Sequence, residues 1–272
     1  MTPRTSVLMP AYRNEETLRA SVESALAQTI GDLELIVVDD ASPIPCAEVL
    51  GEVRDPRLRI IRHARNRNTA AARNTALRAA RAPLVSQLDA DDTWEPDYLE
   101  SVLPCFDDPS VGLAYTNCFI EGHPDGLDDY IGDPAPHPLD TFPKFADACP
   151  VPALTATMRR DAVLNAGGYA EWVWGASDYH LYAKLVAAGW RFAYVHRRLA
   201  RYRWPVAGKS KSADERRVGR GLLMMWLGFV ARHPRVPGPR RQVRVRLRRE
   251  LRPLAAEVGR RARAPRAPLR PR

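Results

Sequence analysis

The chain has 272 residues, 45% of them hydrophobic, enough for one large domain or two small ones around a sizeable core. Its net charge of +9 is unevenly spread: between Arg232 and Arg272 fifteen arginines face only Glu250 and Glu257, a local +13, which leaves −4 on residues 1–231. An acidic body with a basic tail argues against a nucleic-acid-binding protein, while the tail alone suits anionic lipid or polyphosphate.

At the N-terminus "SVLMP" (6–10) reads as a strand, and no basic-then-apolar leader of the secretory type precedes it. Leu18, Val22, Ala25, Leu26 and Thr29 then recur at helical spacing, behind Asn14, Glu15 and Glu16, residue types that suit a helix N-terminus. "LELIVVDD" (33–40), "RLRIIRH" (57–63) and "PLVSQLDADD" (83–92) are the next strands, and the Ala-rich "NTAAARNTALRAARA" (68–82) favours helix. This alternation is that of βαβ units on a parallel sheet.

Further along, the pattern predicts a helix near 96–106, a strand at 111–116 and mostly loop over the Pro/Gly/Asp-rich residues 122–152. A strand near 153–159, helices near 161–166 and 178–188, and strands at 191–195 and 199–203 follow. Beyond Pro205 two helical segments are broken by "HPRVPGP" (233–239). The longest apolar run, 221–231, is about half of the roughly 20 residues a membrane-spanning helix needs. Cys46, Cys105, Cys118 and Cys149 are widely spaced without a C-x-x-C pair, so reduced thiols in a cytoplasmic protein are expected, with neither a zinc site nor a disulfide framework.

In open α/β sheets ligands bind beyond the carboxyl ends of the strands. By that rule Pro10-Ala11-Tyr12 with Glu15, Asp39-Asp40, and Asp89-Ala90-Asp91-Asp92 share one rim. So many carboxylates repel one another unless a cation sits among them. Mg²⁺ takes one or two protein carboxylates plus substrate phosphates, and Asp89 and Asp91, flanking a single residue, fit that use; a turn or helix-cap cluster is the other use of the same residues. Neither G-x-x-x-x-G-K-[ST] nor G-x-G-x-x-G occurs, which leaves a metal to hold any phosphate.

Five blocks in order, "SVLMPAYRNEETLRASVESALAQTIGDLELIVVDDAS" (6–42), "NRNTAAARNTAL" (66–77), "LDADDTWEPDYLE" (88–100), "RRDAVLNAGGY" (159–169) and "SDYHLYAKLVAAGWRFAYV" (177–195), resemble glycosyltransferase family 2 over roughly residues 5–203. The resemblance implies inverting enzymes with a GT-A fold: a Rossmann-like, mainly parallel sheet flanked by helices. It divides the chain into a glycosyltransferase domain at 1–204, with a nucleotide-binding half (1–92) and a more irregular α+β acceptor half (93–204), and a helical, Arg-rich extension at 205–272 with an unstructured end. It implies that Pro10, Ala11, Tyr12 and Glu15 line the base and ribose, that Asp40 hydrogen-bonds the base, and that Asp89-Ala90-Asp91 is the DXD motif. Asp89 then lies near ribose and metal, Asp91 ligates Mg²⁺ or Mn²⁺, and Asp178 is the general base. The implied partners are a nucleoside diphosphate sugar, UDP-linked, and a saccharide, lipid-linked or other hydroxyl acceptor, with peripheral contact between the basic tail and the inner face of the cell membrane.

The chain departs from the family pattern at Ser177, where Glu is usual, at Arg13 for Asn, at Asn68 for Gly, and in 202–212, which lacks a usual His and offers Lys209, Ser210 or Lys211 in its place. Asp178 also stands where a helix cap is common. Trp172 and Trp174 are read equally as sugar-stacking or packing residues, Arg73 and Asn74 as structural hydrogen-bonders, and His180 and His196 as core or surface side chains. Three rivals remain at this level, one of them a polyanion-binding protein acting through its basic tail. A sugar-nucleotide nucleotidyltransferase expects a Gly-rich arginine loop where "PAYRNEE" stands, and a non-catalytic sugar-nucleotide-binding domain has no need of the intact acids.

Overall fold

The computed structural model describes residues 2–131, 149, 151–204, 215–236 and 239–247, with only the helical backbone at 215–217. Strands β1 (Thr5–Ala11), β2 (Leu33–Asp39), β3 (Leu58–Arg62) and β4 (Leu84–Gln87) run parallel. Every residue of β1 and β2 is buried, because helices cover both faces. Side chains alternate between those faces with period two. Val7, Met9, Leu35 and Val37 pack on one side with Leu18, Val22 and Ala25 of α1 (Leu18–Leu26). Leu8, Ile36 and Val38 pack on the other with Ala72, Ala76 and Leu77 of α3 (Thr69–Ala79), while α2 (Cys46–Val49) is a single turn.

The remaining strands are β5 (Thr93–Trp94), β6 (Val111–Glu121), β7 (Thr157–Arg159) and β8 (Arg191–Arg203), and the sheet order is β3-β2-β1-β4-β7-β6-β8-β5. β7 runs antiparallel between β4 and β6, and β6 runs parallel to β8. Helices α4 (Tyr98–Val102), α5 (Arg160–Asn165), α6 (Ser177–Ala187) and α7 (Glu215–Arg232) follow, with 3-10 turns at Leu103–Asp107 and Ala153–Thr155.

Several boundaries correct the sequence reading. The expected strand 83–92 stops at Gln87, where its pairing to Leu8 of β1 ends, and the acids beyond it sit in a turn closed by the Asp92 N–H on the Asp89 carbonyl at 3.2 Å. The two strands expected at 191–195 and 199–203 are one, which follows β6 through irregular register around Asn117. Residues 153–155 form a turn rather than strand, with the Thr155 N–H on the Pro152 carbonyl. Of the expected loop 122–152, residues 122–131 carry one bridge, Phe119 to Asp129.

The C-terminal helix is part of the core: Met225, Trp226 and Phe229 of α7 pack in the same cluster as Leu181, Tyr182 and Leu185 of α6. A second helical stretch covers 239–247, after the expected break. Lys209, Ser210, Lys211 and the Arg-rich end expected to be unstructured lie outside the described residues. No helix among the described residues is long and apolar enough to cross a membrane, and all four cysteines are free.

Candidate active site

The strand-end rule brings the expected residues together. Pro10 and Ala11 close β1, and Tyr12, whose N–H donates to Asn14 Oδ1 at 2.9 Å, is half-buried beneath the Arg13 guanidinium at 5.3 Å. The Asn14 carbonyl accepts the N–H groups of Thr17 and Leu18, which starts α1 just after Glu15. The Thr17 hydroxyl donates to the Ala90 carbonyl at 2.8 Å, so the loop after β1 and the acidic turn after β4 are tied to each other.

At the end of β2 the two aspartates do different work. Burial alone would raise the Asp39 pKa, but N–H donors from Ser42 (2.7 Å) and Cys46 (3.1 Å) and the Arg62 guanidinium (2.5 Å) outweigh it and lower the pKa. Asp40, 2% exposed, accepts the N–H groups of Arg67 (2.8 Å) and Asn68 (2.9 Å) and bonds His63 Nδ1 (2.7 Å). It thereby pins the loop that leads into α3, where Asn68, at φ +79°, caps the helix through Oδ1 and the Ala71 N–H. Any base contact by Asp40 shares a carboxylate already held by three protein groups.

Arg73, expected from the sequence to be a structural hydrogen-bonder, organises the centre. It is 4% exposed on the buried face of α3, its Nη2 donates to both oxygens of Asp89 at 2.7 and 2.9 Å, and its Nη1 lies 3.9 Å from Asp178. Burial would lower its pKa, and the Asp89 and Asp178 charges raise it instead. The signal was present: a lone arginine among Ala70, Ala76 and Leu77 on a core-facing stripe must find buried acid. Its neighbour Asn74 donates to the Tyr169 carbonyl at 2.8 Å and accepts the Tyr169 N–H at 2.9 Å, clamping the 167–171 turn onto α3.

The two other acids of the turn are strained electrostatically. Burial first, then Asp89, pushes the Asp91 pKa up to about 6. Asp92, 1% exposed, is pushed well above the usual range by burial and by Asp91 and Asp89, and it accepts the Arg203 N–H at 2.9 Å, which marks it as a link to β8. Arg73 holds Asp89 directly, whereas the pull of Arg203 and Arg73 on Asp91 is outweighed by burial and Asp89, so the donor set fits a hard dication that takes two carboxylates and fills its sphere from phosphate and water. Among the described residues no group of three or more His, Cys, Asp and Glu is close enough to hold a metal by itself.

Asp178 lies in the first turn of α6, but the N-cap is Ala176, without a side-chain cap bond, and Asp178 Oδ1 accepts the adjacent Tyr179 N–H at 2.7 Å. Helix capping is therefore not its role. Its carboxylate is 27% exposed and lines a cleft of about 220 Å³ with Tyr130, Cys149, Tyr179, Tyr182 and Leu222. Ser177 beside it is buried. Trp172, 53% exposed, sits edge-on to His180 and beside Gly228 of α7, and a Cβ at Gly221 would come 2.5 Å from the Trp174 carbonyl, so the Trp172 indole and the Trp174 backbone lie at the seam between this loop and α7.

A sheet with a parallel N-terminal half whose second and fourth strands deliver acids to one rim, linked through Arg73 to a partly exposed carboxylate on α6, is the GT-A architecture. Solved structures agree: the chain superposes on TarS from S. aureus in complex with UDP-GlcNAc with a TM-score of 0.73 at 15% identity, covering 91% of this chain and 72% of that one. It superposes on the mannosyltransferase PcManGT from Pyrobaculum calidifontis, in complex with GDP-Man and Mn²⁺, with a TM-score of 0.67 at 22% identity over 98% and 77%. The chain belongs to glycosyl transferase family 2, whose sequence profile matches residues 6–164. Among curated relatives, an Escherichia coli UDP-Glc:alpha-D-GlcNAc-diphosphoundecaprenol beta-1,3-glucosyltransferase, WfaP, is 32% identical over 116 residues, 43% of this chain and 46% of that protein. Escherichia coli chondroitin synthase is 34% identical over 193 residues, 69% of this chain and 27% of that protein. The chain thus spans less than half the length of these two relatives.

Proposed function

We propose that the protein is a metal-dependent, inverting glycosyltransferase that moves a sugar from a nucleoside diphosphate sugar, UDP-linked, onto a hydroxyl of a saccharide or lipid-linked acceptor. The observation that carries this reading is the Arg73 guanidinium, which grips Asp89 with two hydrogen bonds while lying 3.9 Å from Asp178. It fixes a cation-binding acid and a proton-accepting acid on opposite sides of one buried charge. Pro10, Ala11, Tyr12 and Glu15, with Asp40 behind them, form the base and ribose side; Asp89 and Asp91, with Ala90 between, form the diphosphate side.

Bound there, Mg²⁺ or Mn²⁺ supplies charge neutralisation for the leaving diphosphate. Asp178 takes the proton of the acceptor hydroxyl, whose oxygen forms the new bond to the anomeric carbon from the face opposite the diphosphate. The bond from anomeric carbon to phosphate oxygen breaks with its electron pair on the diphosphate, and configuration inverts. Arg73 keeps Asp89 and Asp178 in fixed relation through the step. Support for the donor and acceptor comes from the neighbour solved with UDP-GlcNAc and from the relative named for a UDP-Glc donor and a diphosphoundecaprenol-linked acceptor.

The reading is tested by incubating the chain with a panel of UDP- and GDP-sugars, with Mn²⁺ and with EDTA, and measuring nucleotide release. Metal-dependent hydrolysis of one donor supports it. Binding without turnover of any donor, with or without added saccharides, favours a non-catalytic nucleotide-sugar-binding domain. Peripheral contact of the Arg-rich tail with an anionic bilayer belongs to the same proposal; sedimentation with phosphatidylglycerol vesicles should be lost on deleting residues 233–272.

A further inference from the structure

Four aromatic rings gather where β6 and β8 end. His123 and Trp204 have centroids 4.1 Å apart, Trp204 lies 6.0 Å from Tyr202, and Tyr202 lies 6.1 Å from Tyr130, the last two contacts nearly perpendicular at 86° and 90°. Trp204 is 36% exposed and Tyr130 43%. The backbone under these rings is held firmly: the Trp204 N–H donates to the Glu121 carbonyl at 2.8 Å, and the 122–131 loop folds back on β6 through Ile120 to Asp128 (3.1 Å) and Tyr130 to Cys118 (3.3 Å). The Asn117 side chain adds bonds to Asp129 and to the Ile131 N–H.

The row of rings connects the two acids of the candidate site. Tyr130 lines the cleft that contains Asp178. Tyr202 precedes Arg203, whose N–H bonds Asp92 in the acidic turn. Burial, followed by Asp92, Asp91 and Asp89, holds the Tyr202 phenol in its protonated form, a sign of how near the turn it sits. Trp172, 53% exposed, packs beside Gly228 of α7 and edge-on to His180, and the Trp174 backbone lies against Gly221; Tyr130, Tyr202 and Trp204 form a second aromatic surface, the one that shares Tyr130 with the cleft.

We propose that Tyr130, Tyr202 and Trp204 form a stacking subsite for a pyranose ring, the sugar of a saccharide acceptor. The C–H face of a pyranose is apolar and flat enough to lie on an aromatic ring, and rigid aromatics provide that contact area at low entropic cost. A pyranose can come from donor or acceptor. Tyr130 shares its cleft with Asp178, and this assigns the subsite to the acceptor, an assignment that rests on the transferase reading above.

The test uses saturation-transfer NMR on the full chain with UDP and Mn²⁺ present, with methyl β-D-glucopyranoside and methyl N-acetyl-β-D-glucosaminide as probes. Saturation should reach the ring protons of at least one probe. Trp204→Ala and Tyr130→Ala should each weaken its binding by about three- to tenfold, while Trp204→Phe and Tyr202→Phe, which keep a ring, should largely retain it. No transfer to either probe, or equal transfer in Trp204→Ala and Tyr130→Ala, overturns the subsite. A raised KM for UDP-sugar hydrolysis in Trp204→Ala, with glycoside binding unchanged, assigns the rings to the donor and overturns the acceptor claim. Calorimetry of UDP with Mn²⁺ separates the two levels: loss of UDP binding in the wild type refutes the transferase reading, whereas intact UDP binding with no glycoside contact refutes the subsite alone.

Discussion

Replacing Asp91 by Asn removes a charge that burial and Asp89 both disfavour, and the metal-free protein should become more stable. Burial and Asp89 raise the Asp91 pKa from 3.8 to about 6, so the folded state holds this proton more tightly than the unfolded chain does. The associated stability is complete below about pH 4 and is lost as pH rises through about 6. A shift of roughly two units corresponds to about 3 kcal/mol as an upper bound, and water reaching this half-buried group reduces it to about 1–2 kcal/mol. At roughly 2–4 °C per kcal/mol for a chain of this size, Asp91→Asn should melt roughly 2–8 °C above wild type at pH 8 in EDTA, with the gain gone at pH 4. Thermal unfolding by circular dichroism across that range reads both values. A variant that melts lower at pH 8, or gains equally at pH 4, would refute the account of a disfavoured charge. The same substitution should abolish Mn²⁺-dependent UDP binding, so stability and function are opposed at this residue.

Asp178→Asn should lower turnover by about 10² to 10⁴ with UDP affinity unchanged, the scale of a lost general base; full activity in that variant sinks the assignment. Arg73→Met should cost about 2–4 kcal/mol in urea unfolding at pH 7, because two acids lose their common partner, and a cost under about 1 kcal/mol would show that the guanidinium does not hold them. Gly168→Ala should cost about 2 kcal/mol or more, since the residue sits at φ +65° and a Cβ would come 2.6 Å from Asn74 Oδ1; a neutral effect would mean the 167–171 turn shifts freely.

Residues 1–92 were readable because their strands are continuous apolar runs and their helices carry a clear stripe, so the acids fell at strand ends without further information. What escaped depends on partners distant in sequence. β7 enters between β4 and β6 with only three residues, too few for a periodic signal. β8 looked like two strands because "HRR" interrupts its apolar pattern while the backbone pairing continues past it. Arg73 was read as a structural hydrogen-bonder because helix propensity is blind to what a helix packs against, and Trp172 and Trp174 were left between two roles because proximity to Asp178 in sequence does not say which way a loop turns. The rings at 130, 202 and 204 are assembled by a loop folding back on a strand, which no local pattern encodes.

The shared guanidinium also has a bearing on how the molecule is made. Asp89 and Arg73 belong to the segment a ribosome delivers early, and Asp178 arrives much later, on a helix whose core contacts include α7. The Arg73–Asp89 pair joins neighbouring elements of the chain, whereas the approach of Arg73 to Asp178 waits for a helix more than a hundred residues further on. On the transferase reading proposed above, a truncated product ending before α6 should keep the Asp89 side of the arrangement and lack the proposed base.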